Sequence, residues 1–165
     1  MTSETRTEQA PPQSPAEFVE PLIDRYRDVR RFTMKLCEPL GVEDLVFQSM
    51  PDANLNKWHI AHTIWFFETF ILSRYDPAYG CFYDAFGFLF NSCYNAIGER
   101  VARPMRGMIT GPTVEEIVQC RRHVDDAMVS LIHSHNLYDN HLHHLIVIGL
   151  HHDQQHQELL VTGIK

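Results

Sequence analysis

Asn54-Leu-Asn-Lys-Trp-His-Ile-Ala-His-Thr-Ile-Trp-Phe-Phe-Glu-Thr-Phe-Ile-Leu72 is the stretch that decides the fold. Its helical wheel is apolar on nearly every side, the pattern of a helix enclosed by neighbours rather than laid on a surface. The spacing predicts a helix over 54–74. Trp58, His62, Trp65, Phe66 and Thr69 recur at three or four residues, so His62 falls in an aromatic-walled stripe facing the interior. His59 sits one turn earlier and about 60° round the axis.

A helix buried all round needs other helices to bury it. Ser14-Pro15-Ala16-Glu17 has the form of a capping box with proline in the first turn. Phe18, Leu22, Tyr26, Val29 and Phe32 follow as an apolar face, predicting a first helix over 15–37, with Pro21 able to kink it or delay its start. Pro39-Leu-Gly41 ends that helix, and 42–51 is a connector of unassigned structure. Thr113-Val-Glu-Glu116 is a second capping box, opening a helix to about His133 with Val114, Ile117, Val118, Val124, Met128 and Leu131 on one side. After a turn over 134–138, a last helix is predicted over 139–162, with Leu142, Leu145, Ile146, Ile148, Leu150, Leu159 and Leu160 as its apolar residues.

Between the second and third helices the helical period fails from Tyr75 to Pro112. The segment is dense in aromatic residues from Tyr79 to Phe90 and at Tyr94, and carries Arg100, Arg103 and Arg106. Aromatic density argues for an ordered lid or substrate arm rather than disorder. No strand alternation competes. The expected fold is all-α: one four-helix bundle over 14–165 with a long ordered connection between helices two and three, behind a polar, proline-rich tail over 1–13.

Charge narrows the partners. Acidic residues outnumber basic ones by 21 to 14, a net charge of −7, which gives no electrostatic case for nucleic acid or an anionic membrane. No apolar run approaches the ~20 residues needed to span a bilayer. Cys37, Cys81, Cys93 and Cys120 are scattered without Cys-x-x-Cys spacing, as expected of reduced thiols in a cytoplasmic protein.

The chain holds 11 histidines, most of them between His123 and His156. In His151-His-Asp-Gln-Gln-His-Gln-Glu158, His152 and His156 are one turn apart on a helix and can share a metal ion. Glu158 lies about 140° from the middle of that face, which argues against a site of two histidines and a carboxylate built on this helix alone. The third ligand must come from another helix; His62 is the first candidate and His59 the second. Three neutral imidazoles suit Zn²⁺ or Fe²⁺ and leave positions open for water, substrate or oxygen. The competing reading is that His152 and His156 are polar helix residues and His62 a hydrogen-bonded core histidine. His141, His143 and His144 read as ordinary polar positions. Gln155 flanks the ligand face, either as a substrate contact or as a solvated amide. Arg100, Arg103 and Arg106 could grip a carboxylate in bidentate fashion or be solvated. Nothing marks Cys93 as a nucleophile.

Lys57-Trp-His-Ile-Ala-His-Thr-Ile-Trp-Phe-Phe-Glu-Thr-Phe, Tyr94-Asn-Ala-Ile-Gly, Arg103-Pro-Met-Arg-Gly and His152-Asp-Gln-Gln-His-Gln-Glu-Leu-Leu together resemble the N-terminal DinB-like domain of ergothioneine-biosynthesis sulfoxide synthases. The resemblance implies a non-haem Fe(II) on His62, His152 and His156, and a reaction that joins the thiol of cysteine or γ-glutamylcysteine to the imidazole of hercynine with O₂ as oxidant. It implies Gln155 as a hercynine contact and an arginine among Arg100, Arg103 and Arg106 for the thiol substrate's carboxylate. It assigns no catalytic residue within these 165 residues, because that family's catalytic tyrosine belongs to a C-terminal formylglycine-generating-enzyme-like domain, expected here as a further domain or companion chain. Three alternatives stand beside it: an ovothiol-type synthase using histidine, a stand-alone DinB-like metal-dependent thiol transferase, and a non-catalytic binding bundle.

Overall fold

The computed structural model describes residues 16–91, 101–135 and 140–164. Among them there is no strand, and four long helical stretches build the bundle. Helix α1 (Ala16–Cys37) runs through Pro21 without a break, and α2 (Val42–Val46) is a short helix inside the connector. Helix α3 (Asn56–Phe67) is buried at every residue, as its wheel demanded. It lies against both later long helices, α6 (Val114–Ser134) and α7 (Asn140–Gly163), while α1 closes over those two from the other side. The capping box that opens α6 is closed in both directions: Thr113 Oγ1 accepts from the Glu116 amide at 3.2 Å, and Glu116 Oε2 accepts from the Thr113 amide at 2.7 Å. No helix is long and apolar enough to cross a membrane among the described residues.

The predicted helix over 54–74 is not α-helical throughout. After Phe67 it passes through a π turn (Glu68–Leu72) and resumes as α4 (Ser73–Tyr75). In a regular α-helix, residues five apart diverge by about 140°. The wider turn brings Phe67 and Leu72 towards one side, and both are fully buried. Tyr79, from the following segment, donates its hydroxyl to buried Glu68 at 2.6 Å, so the turn is also tied from outside the helix.

Within the expected arm, the described part is ordered: α5 (Phe86–Leu89) plants Phe86 and Phe90 in the core, and a 3-10 turn (Arg103–Met108) follows. Cys93, Tyr94 and Arg100 lie outside the described residues, as do the tail and the turn at 136–138.

Two apolar faces are corrected. Phe32 is 49% exposed, and α1 turns Arg30 and Thr33 inward beside Tyr26 and Val29. On α7, Ile148 and Leu159 are exposed, and the buried side runs through Leu142, Ile146, Leu150, Asp153, Gln157 and Leu160. That side is centred on Asp153, because charged partners on α1 and α6 await the carboxylate there.

Helices α3 and α7 can approach closely because Gly149 has no side chain. A Cβ there would stand 2.6 Å from Phe67 Cε1 and 3.0 Å from Phe66 Cε1. Gly149→Ala, which would gain about 1 kcal/mol in an open helix, is therefore expected to destabilise the protein by about 1–3 kcal/mol through overpacking. Chemical denaturation measures it, and a gain in stability would contradict the close contact.

Candidate metal centre

The site forms where α3 and α7 touch, one turn beyond Gly149. His62 from α3 and His152 and His156 from α7 each offer a ligand nitrogen, and these nitrogens all lie within 4.8 Å of one another. His62 Nε2 and His152 Nε2 are 3.2 Å apart. Metal–nitrogen bonds of ~2.1 Å would place neighbouring nitrogens about 3.0 Å apart at a right angle and about 3.4 Å apart at the tetrahedral angle. The pair therefore already stands at the spacing of two ligands on one ion.

Each ring is held by its other edge or face. His62 Nδ1 meets the Phe90 carbonyl at 2.5 Å, which calls for the proton on Nδ1 and leaves Nε2 bare. Trp58 and Trp65 sandwich the same ring, with centroids at 4.5 and 5.2 Å and planes within 17° and 14° of parallel. Phe66 lies 4.8 Å from the His152 ring. His156 Nδ1 lies 2.8 Å from His59 Nδ1, so His59 stands behind a ligand rather than among the three, and His156 keeps Nε2 for the metal. His152 Nδ1 is buried with no hydrogen-bond partner among the described residues.

Burial sets the protonation state. Desolvation, helped by the neighbouring His152, lowers the His62 pKa to about 3. Desolvation lowers His152 to about 4, and does the same to His59, where Arg106 and Arg103 add to it. His156 is driven down furthest, again mainly by desolvation. All four rings are neutral at pH 7, the form that ligates metals. Unfolded histidines titrate near 6.5, so below that pH the unfolded chain takes up protons the folded one refuses. The stability of the metal-free protein is expected to be full above about pH 6.5 and to fall as pH drops towards 4. A melting temperature lower at pH 5.5 than at pH 7.5 checks this; an unchanged value would mean the rings are open to water.

A buried ionic network sets the phase of both ligand helices. Asp153, next to His152, accepts from Thr33 Oγ1 at 2.6 Å and from Arg30 Nη1 at 3.0 Å, with Arg121 Nη2 at 3.5 Å. Arg30 Nε also reaches Asp125 at 2.7 Å. Thr63, next to His62, accepts from Arg121 Nη1 at 3.2 Å. Gln157 donates to Thr33 Oγ1 at 3.0 Å and to the Val29 carbonyl at 2.9 Å. The network thus joins α1, α3, α6 and α7 at positions adjoining all three ligands, Thr63 beside His62, Asp153 beside His152 and Gln157 beside His156. Sequence reading missed Asp153, Arg30 and Arg121. A signal existed, since Asp153 falls in line with Leu142, Ile146 and Leu160 on the α7 wheel.

The remaining candidates are spread round the centre. Arg106 is buried, with its guanidinium 3.9 Å over Trp58 and its Nη1 donating to Asn54 Oδ1 at 2.6 Å. Arg103, at the start of the same turn, is exposed, as are Gln155 and Glu158 on α7. Of the three histidines read as ordinary polar positions, His141 and His144 are exposed and His143 is half-buried.

A sequence profile described as DinB superfamily matches residues 25–160, which contain all three histidines, the whole of α3 and α6 and most of α1 and α7. The chain belongs to the DinB superfamily. No curated protein matches it. In this DinB chain the three histidines could bind a metal ion, and their all-nitrogen donor set suits a borderline divalent ion rather than a hard one.

Proposed function

We propose that this DinB chain is the metal-binding part of a non-haem iron, O₂-dependent sulfoxide synthase that joins hercynine to cysteine or γ-glutamylcysteine. The observation that carries the reading is the triad itself: three neutral imidazoles from two helices, with ligand nitrogens within 4.8 Å of one another beside an aromatic wall. Three protein ligands leave further positions on an ion free for water, substrate or oxygen. The motifs around it, Trp58-His-Ile-Ala-His62 and His152-Asp-Gln-Gln-His156, add the family resemblance.

Fe(II) held by His62, His152 and His156 would supply the redox chemistry that dioxygen reduction requires. The chain's own residues do the rest of what is proposed here. Phe90 and His59 fix which ring nitrogen faces the centre. Trp58 and Trp65 keep water from the His62 face. Arg106 braces the 3-10 turn against Trp58, from which exposed Arg103 could meet the thiol substrate's carboxylate. Gln155, on the His152 flank of α7, is the amide proposed for hercynine. One O₂ accounts for the oxidation: a thiol and an imidazole C–H become a sulfoxide-bridged product and one water. The proposal includes a further domain or companion chain that completes the pocket.

The test is to load the protein anaerobically with Fe(II), then follow O₂ uptake with hercynine and each thiol, with and without a candidate C-terminal companion. Uptake coupled to sulfoxide formation is expected with the companion. Iron bound but no uptake in either condition would remove the synthase reading. Thiol transfer supported by Zn²⁺ would replace it with the transferase alternative, which the spacing of His62 and His152 also accommodates.

A further inference from the structure

Between α1 and α6 lies a cleft of about 510 Å³, whose floor residues Arg30 and Arg121 also reach Asp153 on α7. Five arginines line it: Arg27, Arg30 and Arg31 from α1, and Arg121 and Arg122 from α6. Asp125 and Asp126 are the acidic residues there, and Met34, Val118 and Val129 make an apolar wall. Five arginines thus meet one cleft in a chain whose net charge is −7, and even with Asp28 and Asp153, which pair with Arg31 and with Arg30 and Arg121 from outside the lining, cations outnumber anions.

This charge is incompletely neutralised. Arg27 and Arg31 are four apart on one helix, where like charges repel. Arg27 and Arg122 make no ion pair among the described residues, and Arg31 pairs only with exposed Asp28 at 2.9 Å. Arg30, 2% exposed, gives Nε to Asp125 and Nη1 to Asp153, but its buried Nη2 has no acceptor among the described residues. A buried donor without an acceptor is rare enough to need a cause. Several guanidinium groups lining one cleft beside an apolar wall are the chemistry that recognises a planar or tetrahedral oxyanion on a short apolar body.

We propose that the α1–α6 cleft is a binding site for a small doubly charged organic oxyanion, a phosphate monoester or a dicarboxylate, separate from the metal centre. Arg27, Arg31 and Arg122 grip the charged group and the apolar wall takes the carbon body.

Phenyl phosphate, glutarate and inorganic phosphate are titrated into the metal-loaded protein by calorimetry, at two salt concentrations, alongside Arg27→Gln/Arg122→Gln. Both positions are exposed and outside the metal centre, so metal content and helicity should be unchanged; the two single variants carry the comparison if the double one misfolds. Saturable binding is expected for an organic probe, weakened at least tenfold in the double variant and reduced by salt. Phenyl phosphate binding alone assigns a phosphate monoester, and glutarate binding alone a dicarboxylate. No saturable binding of either, a preference for inorganic phosphate, or undiminished affinity in the arginine variants would overturn the proposal.

Discussion

Asp153→Ala is expected to lower the free energy of unfolding by about 3–5 kcal/mol, the range for removing one partner of a buried ion pair. The carboxylate is fully buried and receives Arg30, Thr33 and, at longer range, Arg121. Among the described residues, its loss leaves Arg121 with no ion-pair partner and Arg30 with Asp125 alone. Both guanidiniums stay charged and dry, which is why the cost exceeds that of a missing hydrogen bond. Asp153→Asn should be milder, since an amide can still accept from Thr33. Guanidinium denaturation measures both, and a loss below about 1 kcal/mol for the alanine variant would show that water reaches the network. Metal affinity should fall with stability, because Asp153 sets the rotation of α7 that brings His152 and His156 towards His62.

The second large effect is at the triad. Removing a group behind a ligand typically lowers metal affinity about 10–100-fold, so losing a ligand should cost more than 100-fold. His62→Ala and His156→Ala are expected to abolish stoichiometric binding of Fe(II) or Zn²⁺ at micromolar concentration. His59→Ala, which strips the partner from His156 Nδ1, should fall in the 10–100-fold range. Metal content after equilibrium dialysis separates the two classes. Equal losses at His59 and His62 would place His59 among the ligands, and no loss at His62 would remove the metal centre. Since α3 is buried throughout, circular dichroism of the metal-free variants must accompany the measurement.

Some elements were legible because local chemistry and global fold agree on them. The capping box at Thr113 marks the start of α6 within a residue, since its hydrogen bonds are local. The apolar wheel of α3 identified the central helix, since only enclosure makes such a pattern soluble. His152 and His156 were paired from their one-turn spacing, with His62 as first candidate for a third ligand, and His62 Nε2 lies 3.2 Å from His152 Nε2. The π turn was not legible, because it depends on Phe67, Ile71 and Leu72 finding one core and on a tyrosine eleven residues away. Phe32 and Leu159 were assigned inward on apolar character, yet the interior at those levels is taken by Arg30, Thr33, Asp153 and Gln157. A periodicity count treats a buried ion network as a break in the core and shifts the face to the nearest apolar residues.

By itself, then, the sequence determined an all-helical bundle, the central place of 54–74 and a short set of histidines able to share an ion, because period and spacing are properties of single helices. Only the tertiary structure decided that His59 stands behind His156, that Arg106 is buried over Trp58, and that Asp153 joins four helices beside the ligands. Those facts depend on the distance and rotation between helices, which packing at Gly149 and the pairing of Asp153 with Arg30 and Arg121 set across more than a hundred residues of chain in the case of Arg30.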